Sequence, residues 1–392
     1  MTNIKYCATI GGIFMFFGRL PMLKDNLSAN LRRFMKLKGL SIPELENLTN
    51  VSRATISNIL NLKADPSLST IEKLSRGLNI GEDKLFEARP CLKSLRYRTN
   101  KDMSAREKAA KETLLFTVSD KLSLYRQLEK FSPMNVKDFS DFPSSPIEAA
   151  HNLRETLGIM PSVPITNFCG QLTALGIKQF YFNFGISKTF GLSVNKEDGG
   201  PAVFVNTGTA SVERWIFTLI HELGHIILHQ NSYNGEIKDE DQNEELEANT
   251  FAAEFLLPVD VVREKVRETS NFSFINKILE IKREFSVSYG LALHQYCKAY
   301  SRNYSEVLQK FRVLYKNWKK HDFKDHYEPE ALPKELFHFE DPNFRNCVFR
   351  ALSKNELDFQ TAAGILETSE KELKESFDEF QKVNMPAEDF PF

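Results

Sequence analysis

Cysteine is scarce in this sequence, and its few cysteines follow no recognisable pattern. The five cysteines are odd in number, are spread along the whole chain and include no Cys-x-x-Cys pair. A disulfide framework and a thiolate metal site are therefore excluded as interpretations. Isolated, reduced thiols of this kind are typical of a cytoplasmic protein.

Long hydrophobic runs are also missing. The stretch from Cys7 to Phe17 is far short of the roughly 20 residues that span a bilayer. It follows Lys5 as a signal-peptide core would, but Gly18-Arg19-Leu20-Pro21 is not a small-residue cleavage site. We therefore predict neither a membrane partner nor secretion. Residues 1–26 are interpreted as a leader, either disordered or the result of a start at Met1 in place of Met22.

A net charge is nearly absent, since the formal value is -1, but the charge is unevenly distributed. Residues 22–111 contain 18 Lys and Arg against 10 Asp and Glu. This basic front end favours nucleic acid as a partner.

Residues 27–88 show apolar residues at helical spacing in five short segments separated by turn residues. Ser41 and Ser52 are good helix caps, and Thr49-Asn50-Val51 makes a tight connection between the second and third segments. This arrangement predicts a helix-turn-helix domain. Its third helix would present to DNA a set of capping, base-reading and phosphate-binding residues, namely Ser52, Arg53, Thr55, Asn58 and Lys63.

The segments SIPELENLTNVSRATISNIL and DPSLSTIEKLSRGLNI resemble the XRE/Cro-type helix-turn-helix family. The resemblance implies double-stranded DNA as a partner. Because one recognition helix reads only a half-site, we also expect a homodimer. The family usually has Gln directly after the cap of its second helix, where this chain has Ile42.

The segment VERWIFTLIHELGHIILH is apolar at helical spacing and contains the motif His221-Glu222-Leu223-Gly224-His225. On one helix face, His221 and His225 can reach one tetrahedral metal ion, and Glu222 is placed to act as a base on water. Two surface histidines are the alternative, but a chance His-Glu-x-x-His is rare in a chain with 8 His. The pattern predicts a zinc site with Glu222 as the catalytic base. His229 is interpreted as a capping or packed residue rather than a ligand.

A third protein ligand is needed, because catalytic zinc usually has three protein ligands and one open position. The downstream segment NEELEANTFAAEFLLP supplies several carboxylates. Glu245 is the preferred ligand, since 19 residues separate it from His225 as in thermolysin-like enzymes. Glu247 is the second candidate. Asn249 lies one turn beyond Glu245 and is expected to orient a ligand.

The segments FVNTGTASVERWIFTLIHELGHIILH, EELEANTFAAEFLLP and FSVSYGLALHQY resemble the ImmA/IrrE-type metallopeptidases in order and spacing. The resemblance implies that His221, His225 and Glu245 bind zinc and that Glu222 is the catalytic base. The last segment often carries an Arg near its end, where this chain has Gln295.

Two further features of catalysis follow less directly from the sequence. An additional donor to the oxyanion would be a His or Tyr, and four residues remain unranked: Tyr181, Tyr289, His294 and Tyr296. Peptide substrates of such enzymes often lie along an exposed strand edge, and PAVFVN at residues 201–206 is the predicted strand.

The predicted fold is multidomain and mainly α with an α+β centre. An all-α helix-turn-helix domain (27–88) is followed by a helical linker region (89–146), an α+β zincin-like metallopeptidase domain (147–300) and a helical C-terminal region (301–392). IKQFYFNF, FGLSV and AVFVN are the predicted strands. Together, the two resemblances imply a DNA-binding regulatory zinc endopeptidase that cleaves a repressor or partner regulator in a stress, mobile-element or phage-related response. The alternative is a transcriptional regulator or antitoxin-like protein whose peptidase fold serves as a sensor.

Overall fold

The computed structural model describes residues 9–10, 13–14, 20–87, 92, 94–97, 105–187, 189–208, 211–233, 241–269, 271–320, 323, 327–337 and 339–383. Most of the leader assigned to residues 1–26 lies outside these ranges. The chain forms two compact units, one of Met1–Cys91 with Asn100–Ser119 and one of Leu92–Thr99 with Asp120–Phe392. No helix within the described ranges is both long and apolar enough to cross a membrane.

The first unit is built mainly from five helices, as the sequence predicts. A short antiparallel pair, β1 (Thr9–Ile10) and β2 (Ile13–Phe14), comes first. The helices are α1 (Leu20–Lys38), α2 (Ile42–Thr49), α3 (Arg53–Leu60), α4 (Leu68–Leu78) and α5 (Glu82–Phe86), and α6 (Ala105–Leu128) starts in this unit. The first helix thus begins at Leu20, ahead of the domain start placed at residue 27.

Side-chain caps and a small apolar core fix the helices of the first unit. The Ser41 hydroxyl accepts from the Glu44 N–H while the Glu44 carboxylate accepts from the Ser41 N–H, a reciprocal cap of α2. Leu31, Leu45 and Ile56 are fully buried in one core with the other predicted apolar positions. Leu48, at 49% exposure, is the exception and lies on the outer face of α2.

The second unit contains a four-stranded mixed sheet. Its strands are β3 (Leu95–Tyr97), β4 (Lys178–Phe182), β5 (Gly191–Val194) and β6 (Ala202–Asn206). The order is β3-β5-β6-β4, in which β3 and β5, and β5 and β6, are antiparallel and β6 and β4 are parallel. The three strands predicted from the sequence are confirmed.

Two predictions about this sheet are wrong. Residues 95–97 were expected in a helical linker but form an edge strand, because they pair with β5, a long-range partner that local periodicity does not reveal. The strand of PAVFVN was expected to be an exposed edge. Its residues form β6, which is fully buried between β5 and β4 and has no free edge for a peptide.

Eleven helices of the described part of the chain follow in this unit. They are α7 (Pro146–Thr156), α8 (Phe168–Ala174), α9 (Val212–Leu228), α10 (Gln242–Leu256), α11 (Val259–Glu268), α12 (Phe274–Phe285), α13 (Tyr289–Tyr300), α14 (Tyr304–Lys319), α15 (Pro342–Ser353), α16 (Phe359–Ile365), with α17 (Glu370–Val383) closing the described chain. The last three form a separate small core around Val348, Ala362 and Leu373. The helical C-terminal region is therefore as predicted.

Helices α9 and α10 pack unusually closely, and this contact builds the candidate site. A Cβ atom on Gly224 would lie 2.9 Å from the Phe251 ring and 3.4 Å from the Ala248 Cα. Glycine at this position therefore lets α10 approach α9. The carboxylates at the start of α10 consequently reach the histidines of α9.

Candidate functional site

The helix α9 carries the predicted His-Glu-x-x-His motif, with its two histidines and Glu222. Its apolar face, including Ile216, Leu219 and Leu223, is fully buried. This anchoring fixes the helix rotation, so that His221 and His225 emerge on the side facing α10. Glu222 points towards β5 instead, where the Ser193 side chain meets it.

Three side chains meet between α9 and α10. The ligand-type atoms of His221, His225 and Glu245 all lie within 4.8 Å of one another. The His221 Nε2 and His225 Nε2 atoms are 3.1 Å apart, and Glu245 oxygens lie 3.4 Å from the former and 3.1 Å from the latter. Two imidazoles and one carboxylate are the donor set of many catalytic zinc sites.

The electrostatics of these groups match a ligand role. Burial lowers the pKa of His225 to about 3, so its ring is neutral and has a lone pair to offer. Burial works to raise the pKa of Glu245, but hydrogen bonds from His221 and His225 outweigh it and keep that pKa well below its usual value. Glu245 is therefore ionised at any physiological pH.

Glu222 is buried and held by a short chain of hydroxyl groups. The Ser193 hydroxyl donates to Glu222 Oε2 at 2.8 Å, and the Tyr233 hydroxyl donates to Ser193 Oγ at 2.8 Å. Burial raises the pKa of Glu222 to about 7. A carboxylate with a pKa near neutrality can both accept and return a proton.

His229 caps the end of α9 and is buried, as predicted, and its ring also contacts the site. Its Nδ1 atom lies 2.9 Å from Nδ1 of His225, and its Nε2 atom lies 2.8 Å from the Glu247 carboxylate. Glu247, the second candidate ligand, thus contacts His229. His229 and Glu247 hold the His225 ring at its Nδ1 atom, as outer partners of metal-binding histidines commonly do.

Sequence reasoning missed Arg96, Ser193 and Tyr233. The Arg96 guanidinium is hydrogen-bonded to Glu244 and lies 3.6 Å from Glu245 Oε1. Burial works against its charge, but Glu244 outweighs that effect and raises the pKa of Arg96. These three residues come from distant segments, and no local motif marks them.

Several other predicted residues lie elsewhere. Asn249 is exposed on α10, and among the described residues the contacts of Glu245 are with His221, His225 and Arg96. The four oxyanion candidates have other partners: Tyr181 donates to Gln179, the Tyr289 hydroxyl accepts from Arg312, the His294 ring packs on Tyr304 and the Tyr296 ring packs on Phe274.

Gln295, at the position where the family resemblance implies an Arg, is fully buried and hydrogen-bonded to its neighbours. Its amide donates to the Glu254 carboxylate at 3.2 Å and to the Leu257 carbonyl at 2.8 Å. The other Glu254 oxygen contacts His151 at 3.0 Å. The residue therefore stabilises the end of α10.

The predicted DNA-contacting residues lie at the cap of α3, along the helix and just beyond its end. Ser52 caps the helix by accepting from the Thr55 N–H at 3.2 Å. The Arg53 side chain is 62% exposed and forms an ion pair with Glu46 of α2. Asn58 and Lys63 are exposed. Arg53 must therefore exchange Glu46 for a base or phosphate when it contacts DNA.

Two segments of the chain match models of known families. Residues 172–296 match a peptidase family described as the IrrE N-terminal-like domain, and residues 31–85 match the family described as helix-turn-helix. The comparison with curated proteins returns no match. The chain thus carries an XRE-type helix-turn-helix domain followed by a peptidase-like domain, in the order predicted from its sequence.

Proposed function

We propose that this chain is a DNA-binding regulatory zinc endopeptidase. The observation that carries the proposal is the convergence of His221, His225 and Glu245 beside the buried carboxylate of Glu222. The matches to a helix-turn-helix domain and an IrrE-like peptidase domain in one chain support it.

Zinc fits the donor chemistry at this position. His221, His225 and Glu245 would hold it, and the neutral His225 ring and the ionised Glu245 carboxylate are the protonation states that binding requires. Bound zinc acidifies water and polarises a peptide carbonyl.

The residues of the chain would then divide the work of hydrolysis. Glu222 takes a proton from the attacking water as its oxygen adds to the carbonyl carbon, and returns it to the leaving nitrogen as the C–N bond breaks. Ser193 and Tyr233 hold the Glu222 carboxylate in one orientation. His229 and Glu247 hold the His225 ring.

The helix-turn-helix domain would bring this peptidase to DNA, where transcriptional regulators act. Its substrate is therefore proposed to be a repressor or a partner regulator. Cleavage of such a protein would change transcription until new copies of the regulator are synthesised.

The test is a comparison of protein termini in cells that express the wild type or Glu222→Gln. We expect new amino termini of one or a few regulators with the wild type only, because the variant keeps the three ligands and loses the base. Glu264→Gln, an exposed change on α11, is the matched control and should behave as the wild type. Wild-type cleavage by Glu222→Gln would reject the mechanism and favour a sensor with little proteolysis.

A further inference from the structure

The strand β5 is the part of the sheet that faces the catalytic base. A Cβ atom on Gly191 would lie 2.5 Å from Thr218 Cγ2 and 3.0 Å from Glu222 Oε1, and Ser193 donates to Glu222. One side of β5 pairs with β6 and the other with β3. Without β3, that second side would be an exposed edge of the sheet. This edge is therefore where an extended substrate would add a strand next to Glu222.

The chain's own strand β3 occupies that edge. It runs antiparallel to β5 in the register Leu95 with Val194, Arg96 with Ser193 and Tyr97 with Leu192. Ser94 anchors its start, since the Ser94 hydroxyl donates to the Asp198 carboxylate at 3.0 Å and the Asn195 N–H donates to the Ser94 carbonyl at 3.1 Å. The β3 segment is thus bound as an added peptide strand would be.

The Arg96 side chain enters the metal centre from this strand. It stands opposite Ser193, is only 15% exposed, and pairs with Glu244 and Glu245 on α10. Glu244 is held in place by the Ser232 hydroxyl, which donates to its other oxygen. Glu244 therefore forms an acidic pocket for a basic side chain at this point of the bound strand.

We propose that β3 is an internal, substrate-like strand that blocks the peptidase site. An extended peptide with Arg or Lys opposite Ser193 takes its place when the enzyme acts, and Glu244 binds that side chain. The strand is short, and Leu95 and Arg96 both retain some solvent exposure, so its release exposes little apolar surface. The role of this exchange in catalysis rests on the proposed peptidase function, but the exchange itself does not.

Binding of a labelled peptide tests the proposal without hydrolysis. The probe is fluorescein-labelled LKSLRYRT, the sequence of residues 92–99, titrated into the zinc-loaded full chain with Glu222→Gln. In the parent, the tethered β3 should keep the site occupied and binding weak. Arg96→Pro removes the backbone N–H that pairs with Ser193 in this register and so releases the strand. It should bind the probe at least about tenfold more tightly, because a larger fraction of molecules then has a free β5 edge.

A second variant guards against misfolding caused by proline. Ser94→Ala combined with Arg96→Ala removes the side-chain hydrogen bonds and ion pairs that anchor β3 and should show the same gain. Arg283→Ala, an exposed change on α12, is the charge-matched control and should bind as weakly as the parent. Equal affinity of the probe for the parent and for both β3 variants would overturn the proposal.

The acidic pocket is tested by a double-mutant cycle in the Arg96→Pro protein. The probe LKSLAYRT should bind about tenfold more weakly than LKSLRYRT, and Glu244→Gln should weaken only the arginine probe. Equal losses for both probes would remove Glu244 from the proposal. When Glu222 is restored, absence of hydrolysis in every variant would reject the peptidase function, whereas the binding results would still decide the role of β3.

Discussion

His225 is connected through both of its ring nitrogens. Its Nε2 atom faces His221 and Glu245, and its Nδ1 atom faces His229, which is itself paired with Glu247. A ring held at one nitrogen presents the other in a fixed direction and tautomer. The supporting pair should therefore matter for metal affinity although neither residue lies among the three converging ligand atoms.

Substitutions at the three ligands should reduce zinc binding more than a substitution at their outer partner His229. His221→Ala, His225→Ala and Glu245→Ala should each lose stoichiometric zinc, because each removes one of three ligands. His229→Gln should weaken binding by roughly 10–100-fold, the effect typical of an outer partner. Competition with a chromogenic chelator measures the affinities.

Glu247→Ala and His151→Ala serve as comparisons in the same assay. Glu247→Ala should lose less zinc than Glu245→Ala, and His151→Ala should match the wild type, since His151 contacts Glu254 instead. Greater loss with Glu247→Ala than with Glu245→Ala would transfer the ligand role to Glu247.

At the scale of elements, the capped amino-terminal end of α3 is the surface predicted to read DNA. Its amino-terminal end is exposed, and the Arg53 ion pair with Glu46 holds the guanidinium there. The hydrogen bonds from Arg53 lower the pKa of Glu46, so this acidic group is ionised when DNA approaches. We therefore expect Glu46 to compete with DNA for Arg53.

Substitutions in this helix-turn-helix should separate base reading from phosphate binding. Arg53→Ala should weaken binding to promoter DNA from the protein's own locus about tenfold or more and flatten sequence preference. Lys63→Ala should weaken binding to all sequences alike and reduce its salt dependence. Glu46→Gln should strengthen binding, because it removes a competing negative charge.

The measurement is a binding titration at two salt concentrations with promoter and random DNA. A wild-type protein without preference for the promoter DNA would remove the recognition role of α3. The domain would then be interpreted as a protein-docking module.

Within the larger unit, a buried ionic cluster links the catalytic helix to distant parts of the chain. Lys282 of α12 and Glu213 at the start of α9 are both fully buried and paired. Glu328 lies 3.5 Å from the Lys282 ammonium and accepts from the Tyr289 N–H at 2.8 Å. Burial outweighs these contacts and raises the pKa of Glu328 to about 7.

This raised pKa predicts a pH-dependent loss of stability. Glu328 has an ordinary value of 4.5, so between that pH and about 7 the folded protein holds a proton that the unfolded chain releases. The contribution of protonated Glu328 to the free energy of unfolding is fully present below pH 4.5 and is lost as the pH rises through 7. The free energy of unfolding of Glu328→Gln, relative to that of the wild type, should therefore rise by roughly 2–3 kcal/mol from pH 5 to pH 8.

Denaturant unfolding at the two pH values measures this difference. Glu330→Gln, at a more exposed position of the same segment, is the control and should show a smaller change. A variant-to-wild-type difference that is the same at pH 5 and pH 8 would contradict the raised pKa.

The sequence by itself determined the elements whose signals are local. The caps at Ser41 and Ser52, the helical spacing of α9 and the apolar runs of β4 and β6 depend on residues close together in the chain. The His-Glu-x-x-His motif belongs to this class, because both histidines lie on one turn of one helix. The two domain types and their order followed from such motifs and were confirmed by the family matches.

Only the tertiary structure decided which strand has a free edge and which residues stand behind the site. The pairing of residues 95–97 with β5, the pairing of β6 with both β5 and β4, and the contact of Ser193 with Glu222 all join residues that no short-range pattern connects. Strand order depends on long-range hydrogen bonds, which leave no period in the sequence. For this reason Arg96, in a segment expected to be a helical linker, came to lie beside Glu245.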